Sequence, residues 1–262
     1  MINSTIELPK IIADFPAPVL ANPMLPCSTV RIFNFSGGRT SAMMVKENYQ
    51  PGDLVIFCDT GREHPKTYKF LNDFEAFEGI PIIRLKYDGG FQKLVTKRKM
   101  LPNIMMRFCT VELKIRTARR YIRSLGITQY HNFIGFRYDE QKRVSNYKEH
   151  WKTVKTYFPL NEKGITKLNV LEYWNKQPYN LETPPILGNC DLCFLKGKNA
   201  IIQILREQPE LADKWIEDEK IVGATYINGI SYSQLLDLSK RPYFKQQNLF
   251  EIEPAYNCAC TA

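Results

Sequence analysis

Three short apolar runs, separated by stretches of helical character, constrain this chain more than any other feature. Residues 30–35 have strand length and stop abruptly at Ser36-Gly37-Gly38, after which Ala42, Met43, Met44 and Val45 stand in a helix-forming context. Residues 54–58 run into the acidic turn Asp59-Thr60-Gly61. Pro65 then suits the first position of a helix carrying Tyr68, Phe70, Leu71, Phe74 and Phe77. Residues 82–85 complete a βαβαβ series. This alternation predicts an α/β fold, a Rossmann-like twisted parallel sheet with helices on both faces. Ligands of such sheets bind beyond the carboxyl ends of the strands, where both turns fall.

A fourth strand is expected over residues 132–135, ending in Gly135-Phe136-Arg137. From residue 160 onward the chain reads as mostly helical, interrupted by Thr183-Pro184-Pro185 and by the loop that holds Cys190 and Cys193. Ahead of the first strand, Pro9, Pro16, Pro18, Pro23 and Pro26 are too many for a helix interior or a central strand. The expected organisation is therefore an extended proline-rich arm over residues 1–29, a nucleotide-binding domain over 30–160, and a helical, cysteine-bearing region over 161–262. The 262 residues are enough to bury a sizeable core.

Lys and Arg number 36 against 27 Asp and Glu, a formal charge of +9 that favours polyanionic partners such as nucleotides or nucleic acid. The excess is concentrated: residues 86–123 hold eleven basic residues against Asp88 and Glu112. Arg116, Arg119, Arg120 and Arg123 recur there at helical spacing, opposite Ala118, Tyr121, Ile122 and Leu125. That face could follow a nucleic-acid backbone, although a charged helix face is more often simply solvated. No apolar run approaches the roughly 18 residues of a membrane span, and the first ten residues lack a signal-peptide pattern, so a cytoplasmic protein without a membrane partner is expected.

The turn Ser36-Gly37-Gly38-Arg39-Thr40-Ser41 has the makings of a phosphate cradle. Glycines let backbone amides approach phosphate oxygens, the hydroxyls of Ser36, Thr40 and Ser41 add hydrogen-bonding groups, and a helix N-terminus contributes partial positive charge. It is neither a Walker loop nor a dinucleotide GxGxxG. Taken alone, it reads equally well as an ordinary strand-to-helix turn.

Its companions shift the balance toward a binding turn. Cys58-Asp59-Thr60-Gly61-Arg62-Glu63-His64-Pro65 follows, then Phe108-Cys109-Thr110 with Leu113-Lys114, then Gly135-Phe136-Arg137 with Asp139, Glu140 and Arg143, then Pro159-Leu160. In this order the motifs resemble the phosphoadenosine phosphosulfate reductase family of the adenine nucleotide alpha hydrolase, or PP-loop, superfamily, whose usual first motif is SGGKDS. The resemblance implies that the cradle holds the phosphate or sulfate end of ATP or an adenylyl sulfate, with Asp59-Thr60 beside the adenosine. Gly135 and Arg137 complete the nucleotide site, and Arg39 and Arg137 are the expected catalytic cations. Arg39-Thr40 replaces the usual Lys-Asp. Arginine keeps a bidentate grip on phosphate, whereas threonine supplies no carboxylate to the Mg²⁺ that the superfamily uses.

Cysteine spacing is the second strong signal. Cys190-Asp191-Leu192-Cys193 can bring two thiolates to one metal, and Cys258-Ala259-Cys260 adds two candidates near the C-terminus. Zinc, a metal-free redox pair and purely structural thiols are all compatible with this spacing. In a family of sulfur chemistry, the resemblance implies a [4Fe-4S] cluster on Cys109, Cys190, Cys193 and Cys260, with Cys258 as the alternative fourth ligand. Cys27 and Cys58 read as structural. His64 reads as a phosphate donor or, at least as well, as a helix cap.

Two activities follow from the resemblance. In one, ATP adenylates a nucleic acid or nucleotide, which a sulfur donor then thiolates. In the other, a thiol carrier protein supports reduction of phosphoadenylyl or adenylyl sulfate. The usual reductase ends in Glu-Cys-Gly-Leu-His, where this sequence has Asn257-Cys258-Ala259-Cys260-Thr261-Ala262, and the first activity is therefore expected. A lapsed nucleotide-binding module that regulates a partner is the expectation from a different class, suggested only by Arg39-Thr40.

Overall fold

The computed structural model describes residues 12–13, 29–149, 151–183, 187–188 and 190–242. Six strands among them form one sheet: β1 (Ile12–Ala13), β2 (Val30–Asn34), β3 (Leu54–Asp59), β4 (Ile83–Lys86), β5 (Tyr130–Phe133) and β6 (Val154–Tyr157), in the spatial order β1-β4-β3-β2-β5-β6. From β4 to β6 all neighbours are parallel, and β1 adds an antiparallel edge on β4. The expected α/β sheet is present. The strand order reverses at β2, which lies between β3 and β5, so the crevice beyond its carboxyl end is the topological switch point.

Strand periodicity of two explains how the sheet is covered. Phe33, Val55 and Phe57 point to one face, where they pack with α1 (Arg39–Asn48), α2 (Pro65–Glu78) and α5 (Lys167–Asn175) through Met44, Phe70, Leu71, Phe74 and Trp174. Ile32, Ile56, Cys58 and Leu85 point to the other face, against Ala118, Tyr121 and Ile122 of α4. That helix is continuous from Phe108–Thr110 through a wider π-helical stretch, Val111–Arg116, into Thr117–Ser124. A third apolar cluster joins α3 (Gly90–Arg98) and the start of α4 to α6 (Lys198–Glu207), α7 (Asp213–Val222) and α8 (Tyr232–Ser239).

Three details differ from the sequence reading. The third strand starts one residue later than expected, and the fourth spans 130–133 rather than 132–135, its register fixed by pairing of Tyr130 with Val30. Strand β6 was not expected. It is an edge strand with only Val154 buried, so it lacks the apolar run that marks the central strands. The proline-rich arm lies outside the described residues except for Ile12, Ala13 and Thr29.

Candidate nucleotide site

The chain leaves β2 through Phe35 and Ser36 and enters α1 at Arg39. Gly37 takes φ +79°, and a Cβ there would lie 2.6 Å from Thr67 Cγ2 and 3.2 Å from the Phe57 ring. Only glycine fits such a turn without strain. The Ser36 amide donates to Ser41 Oγ at 3.1 Å, Ser41 Oγ donates to the Gly38 carbonyl at 3.0 Å, and the two serine hydroxyls are 2.9 Å apart. Since the Ser41 proton goes to Gly38, Ser36 is the donor in that last pair. These hydroxyls therefore shape the turn. No side chain caps the first turn of α1 and no acidic residue sits in it. Its leading amides and the positive end of the helix remain available for an anion.

Two motifs from β5 onward close on this turn. A Cβ at Gly135 would be 3.2 Å from Ser41 Cα, so the missing side chain lets the loop after β5 lie against the first turn of α1. Arg137, two residues on, donates from Nη1 to Thr40 Oγ1 at 3.3 Å and pairs with Asp139 at 2.9 Å and Glu140 at 3.4 Å. Arg39 is directed elsewhere. Its Nε donates to Asn180 Oδ1 at 2.7 Å, a second nitrogen reaches the Leu181 carbonyl, and Trp174 Nε1 donates to the Arg39 carbonyl at 2.8 Å. Burial lowers the pKa of this guanidinium.

The second turn is equally ordered. Asp59 Oδ1 accepts from the Gly61 amide and from the Tyr68 hydroxyl, each at 2.7 Å. Thr60 gives its amide and its hydroxyl to the two oxygens of Glu63, at 3.0 and 2.8 Å. Glu63 is buried with Lys114 Nζ 3.9 Å away, and burial raises its pKa against the opposing pull of that lysine. Sequence alone gives Glu63 no role, although the Asp-Thr-x-x-Glu spacing is a readable signal for this pairing. His64 caps α2, accepting from the Lys66 amide at 3.1 Å, while its other ring nitrogen lies 2.7 Å from Gln208 Oε1. It is the local cap.

Beside this turn, Cys190 forms an isolated antiparallel bridge with Glu63, and the Asp191 amide donates to the Arg62 carbonyl at 2.9 Å. Cys193 lies in the apolar cluster of the C-terminal helices, and Cys109 and Cys190 pack against it. Among the described residues, no three His, Cys, Asp or Glu side chains are arranged to hold a metal ion, and no disulfide forms. Cys258, Cys260 and Cys27 lie outside the described residues. Cys58 is buried at the end of β3, and burial pushes its thiol up to about 12.

The basic face of α4 is partly engaged. Arg116 pairs with Glu112 at 2.7 Å, and Arg119 stacks on Trp151 with 3.4 Å between its guanidinium carbon and the ring centroid. No helix among the described residues is long and apolar enough to cross a membrane.

The chain belongs to the phosphoadenosine phosphosulfate reductase domain family, whose pattern matches residues 31–181. That match spans β2 through the residues contacting Arg39, and so contains both glycine turns and Arg137. Membership places the protein in a family of nucleotide-linked sulfur chemistry. The chain is 29% identical over 203 residues to an uncharacterized nin region protein of Escherichia phage lambda, covering 66% of this chain and 68% of that one. It is 28% identical over 193 residues to an uncharacterized protein of Methanocaldococcus jannaschii, of whose length it spans only 39% against 69% of its own. A crystal structure of phosphoadenylyl-sulfate reductase from Candida auris, in a phosphate complex, matches at 19% identity and a TM-score of 0.42, over 58% of this chain and 74% of that one.

Proposed function

We propose that this protein is an adenine-nucleotide-dependent sulfur-transfer enzyme acting on a nucleic acid or nucleotide. Amides of residues 38–41 hold the phosphates, Arg137 neutralises developing charge beside Thr40, and the strand end Asp59-Thr60 borders the adenosine. An oxygen of the acceptor attacks the α-phosphorus of ATP, the bond to the β-phosphate oxygen breaks, and pyrophosphate leaves. Sulfur from an external donor then attacks the activated position and AMP departs with the original oxygen. The observation that carries this reading is the uncapped, acid-free start of α1, closed by Gly37 on one side and by Gly135 and Arg137 on the other. Such an arrangement is built for a polyanion.

Thr40 stands where a carboxylate would reach Mg²⁺, so charge neutralisation is assigned to Arg137 and the helix terminus. Arg39 serves the site indirectly by fixing the start of α1 to Asn180 and Leu181. Among the described residues Cys109, Cys190 and Cys193 form no metal-holding group, and the steps above use only the cradle, Arg137 and the strand end.

Calorimetry with ATP and adenylyl sulfate, followed by anaerobic turnover assays, tests the proposal. Pyrophosphate release that depends on a nucleic-acid or nucleotide acceptor is the expected result. The second reading, favoured by the family match alone, is reduction of an adenylyl sulfate by a thiol carrier. Catalytic release of sulfite with a dithiol protein would establish it instead.

A further inference from the structure

Between α3 and α4 the chain makes a loop whose tip is apolar and exposed to solvent. Met105 is 90% exposed, Ile104 72% and Met106 47%. Such exposure of consecutive large apolar side chains runs against the hydrophobic effect unless something covers them. The tip is held in shape: Asn103 Oδ1 accepts from the amides of Met105 and Met106 at 2.9 Å each, and the Asn103 amide donates to the Met106 carbonyl at 3.2 Å. Buried Leu101 and Phe108 anchor its two ends in the cluster of α3 and the C-terminal helices.

The charge around this tip indicates what covers it. Lys97 and Lys99 are exposed at the end of α3 and make no ion pair among the described residues. Lys99 is the one non-glycine residue with positive φ among them, at +51°, a helix-ending position that glycine would occupy with less strain. Two exposed lysines thus stand at the helix end that leads into the apolar tip, within a segment that holds eleven basic residues and two acids. An acidic protein surface would meet the charges but leave three apolar side chains to be matched separately. A nucleic acid meets both at once, with phosphates for the lysines and base faces for methionine and isoleucine.

We infer that Ile104, Met105 and Met106 form a wedge that inserts between bases of a nucleic-acid substrate while Lys97 and Lys99 hold its phosphates. This deepens the proposed function and rests on its nucleic-acid acceptor. The loop leads directly into Phe108-Cys109-Thr110, so a base step opened there is delivered next to the family motif at the start of α4.

The test uses the full chain and a hairpin oligonucleotide carrying 2-aminopurine beside its loop, whose fluorescence rises when the base is unstacked. The protein is expected to bind it with a rise in fluorescence. The double variant Ile104→Ser, Met105→Ser should lose that rise. Lys97→Glu with Lys99→Glu should weaken binding at least about tenfold near 0.1 M salt and reduce the log-log salt slope by about 1.4–1.8, the value for two lost phosphate contacts. ATP affinity, measured by calorimetry in parallel, should not change in either variant. Binding without a fluorescence rise, a rise that survives in the serine variant, or no oligonucleotide binding by a protein that binds ATP would overturn the inference. So would loss, in the serine variant, of binding to anionic phosphatidylserine vesicles or of thiol-carrier-dependent turnover, with oligonucleotide binding intact. If ATP fails to bind while the oligonucleotide results hold, the nucleotide reading fails and the wedge stands.

Discussion

Glu63 and Cys190, 127 positions apart in sequence, face each other across an antiparallel bridge that ties the turn after β3 to the CxxC loop. The neighbouring Asp191 amide donates to the Arg62 carbonyl, and the Arg62 side chain continues the link, lying over Phe91 and Trp215 and pairing with fully buried Asp218 on α7. The candidate nucleotide site and the C-terminal helices are therefore one mechanical unit.

Breaking that unit should be costly. Arg62→Met leaves the Asp218 carboxylate buried without its cation, and removing one partner of such a pair typically costs about 3–5 kcal/mol. Denaturant titration of the variant should show a loss of that order. The double variant Arg62→Met, Asp218→Leu should recover much of it, since no charge is then stranded.

Gly37→Val puts a β-branched residue at φ +79° and a Cβ 2.6 Å from Thr67 Cγ2. The left-handed backbone costs roughly 1–2 kcal/mol and the overlap roughly 1–3 more. The expected outcome is a lower melting temperature together with loss of ATP binding by calorimetry. Unchanged affinity in a folded variant would remove the phosphate site from this turn.

Arg137→Ala should leave the fold nearly intact while weakening nucleotide binding by about 1.5–3 kcal/mol, the range for a charged hydrogen bond. Asp139 would then stand beside the cradle without its cation, while Glu140 keeps its pairing with Arg143, so Arg137→Lys should recover part of the affinity but not a planar, two-pronged contact. Calorimetric affinities for ATP of the three proteins provide the comparison.

Burial holds the Cys58 thiol up at about 12, against an ordinary value of 9.0. Between these values the unfolded chain has released a proton that the folded chain retains, so this group lowers stability as pH rises from about 9 toward 12 and has no effect below that window. Denaturation midpoints at pH 8 and 10 should fall less in Cys58→Ala than in the unaltered protein. At pH 8, Cys58 should resist alkylation until the chain is unfolded.

Much of the fold could be read directly from the chain. The apolar runs at β2, β3 and β4 and the glycine and proline punctuation between them dictate strand, turn and helix locally, because period and backbone freedom are properties of neighbouring residues. The same locality made residues 36–41 and Asp59-Thr60 readable as turns at the carboxyl ends of β2 and β3. Strand β6 escaped because a polar edge strand gains its place from pairing with β5 rather than from its own pattern. Tertiary structure alone turned Arg39 toward Asn180 and Leu181, set Arg137 against Thr40, and joined Glu63 to Cys190, since each depends on segments 97 to 142 residues apart being brought together by the packed core. Sequence specified which groups could bind a nucleotide; long-range packing decided which of them face one another.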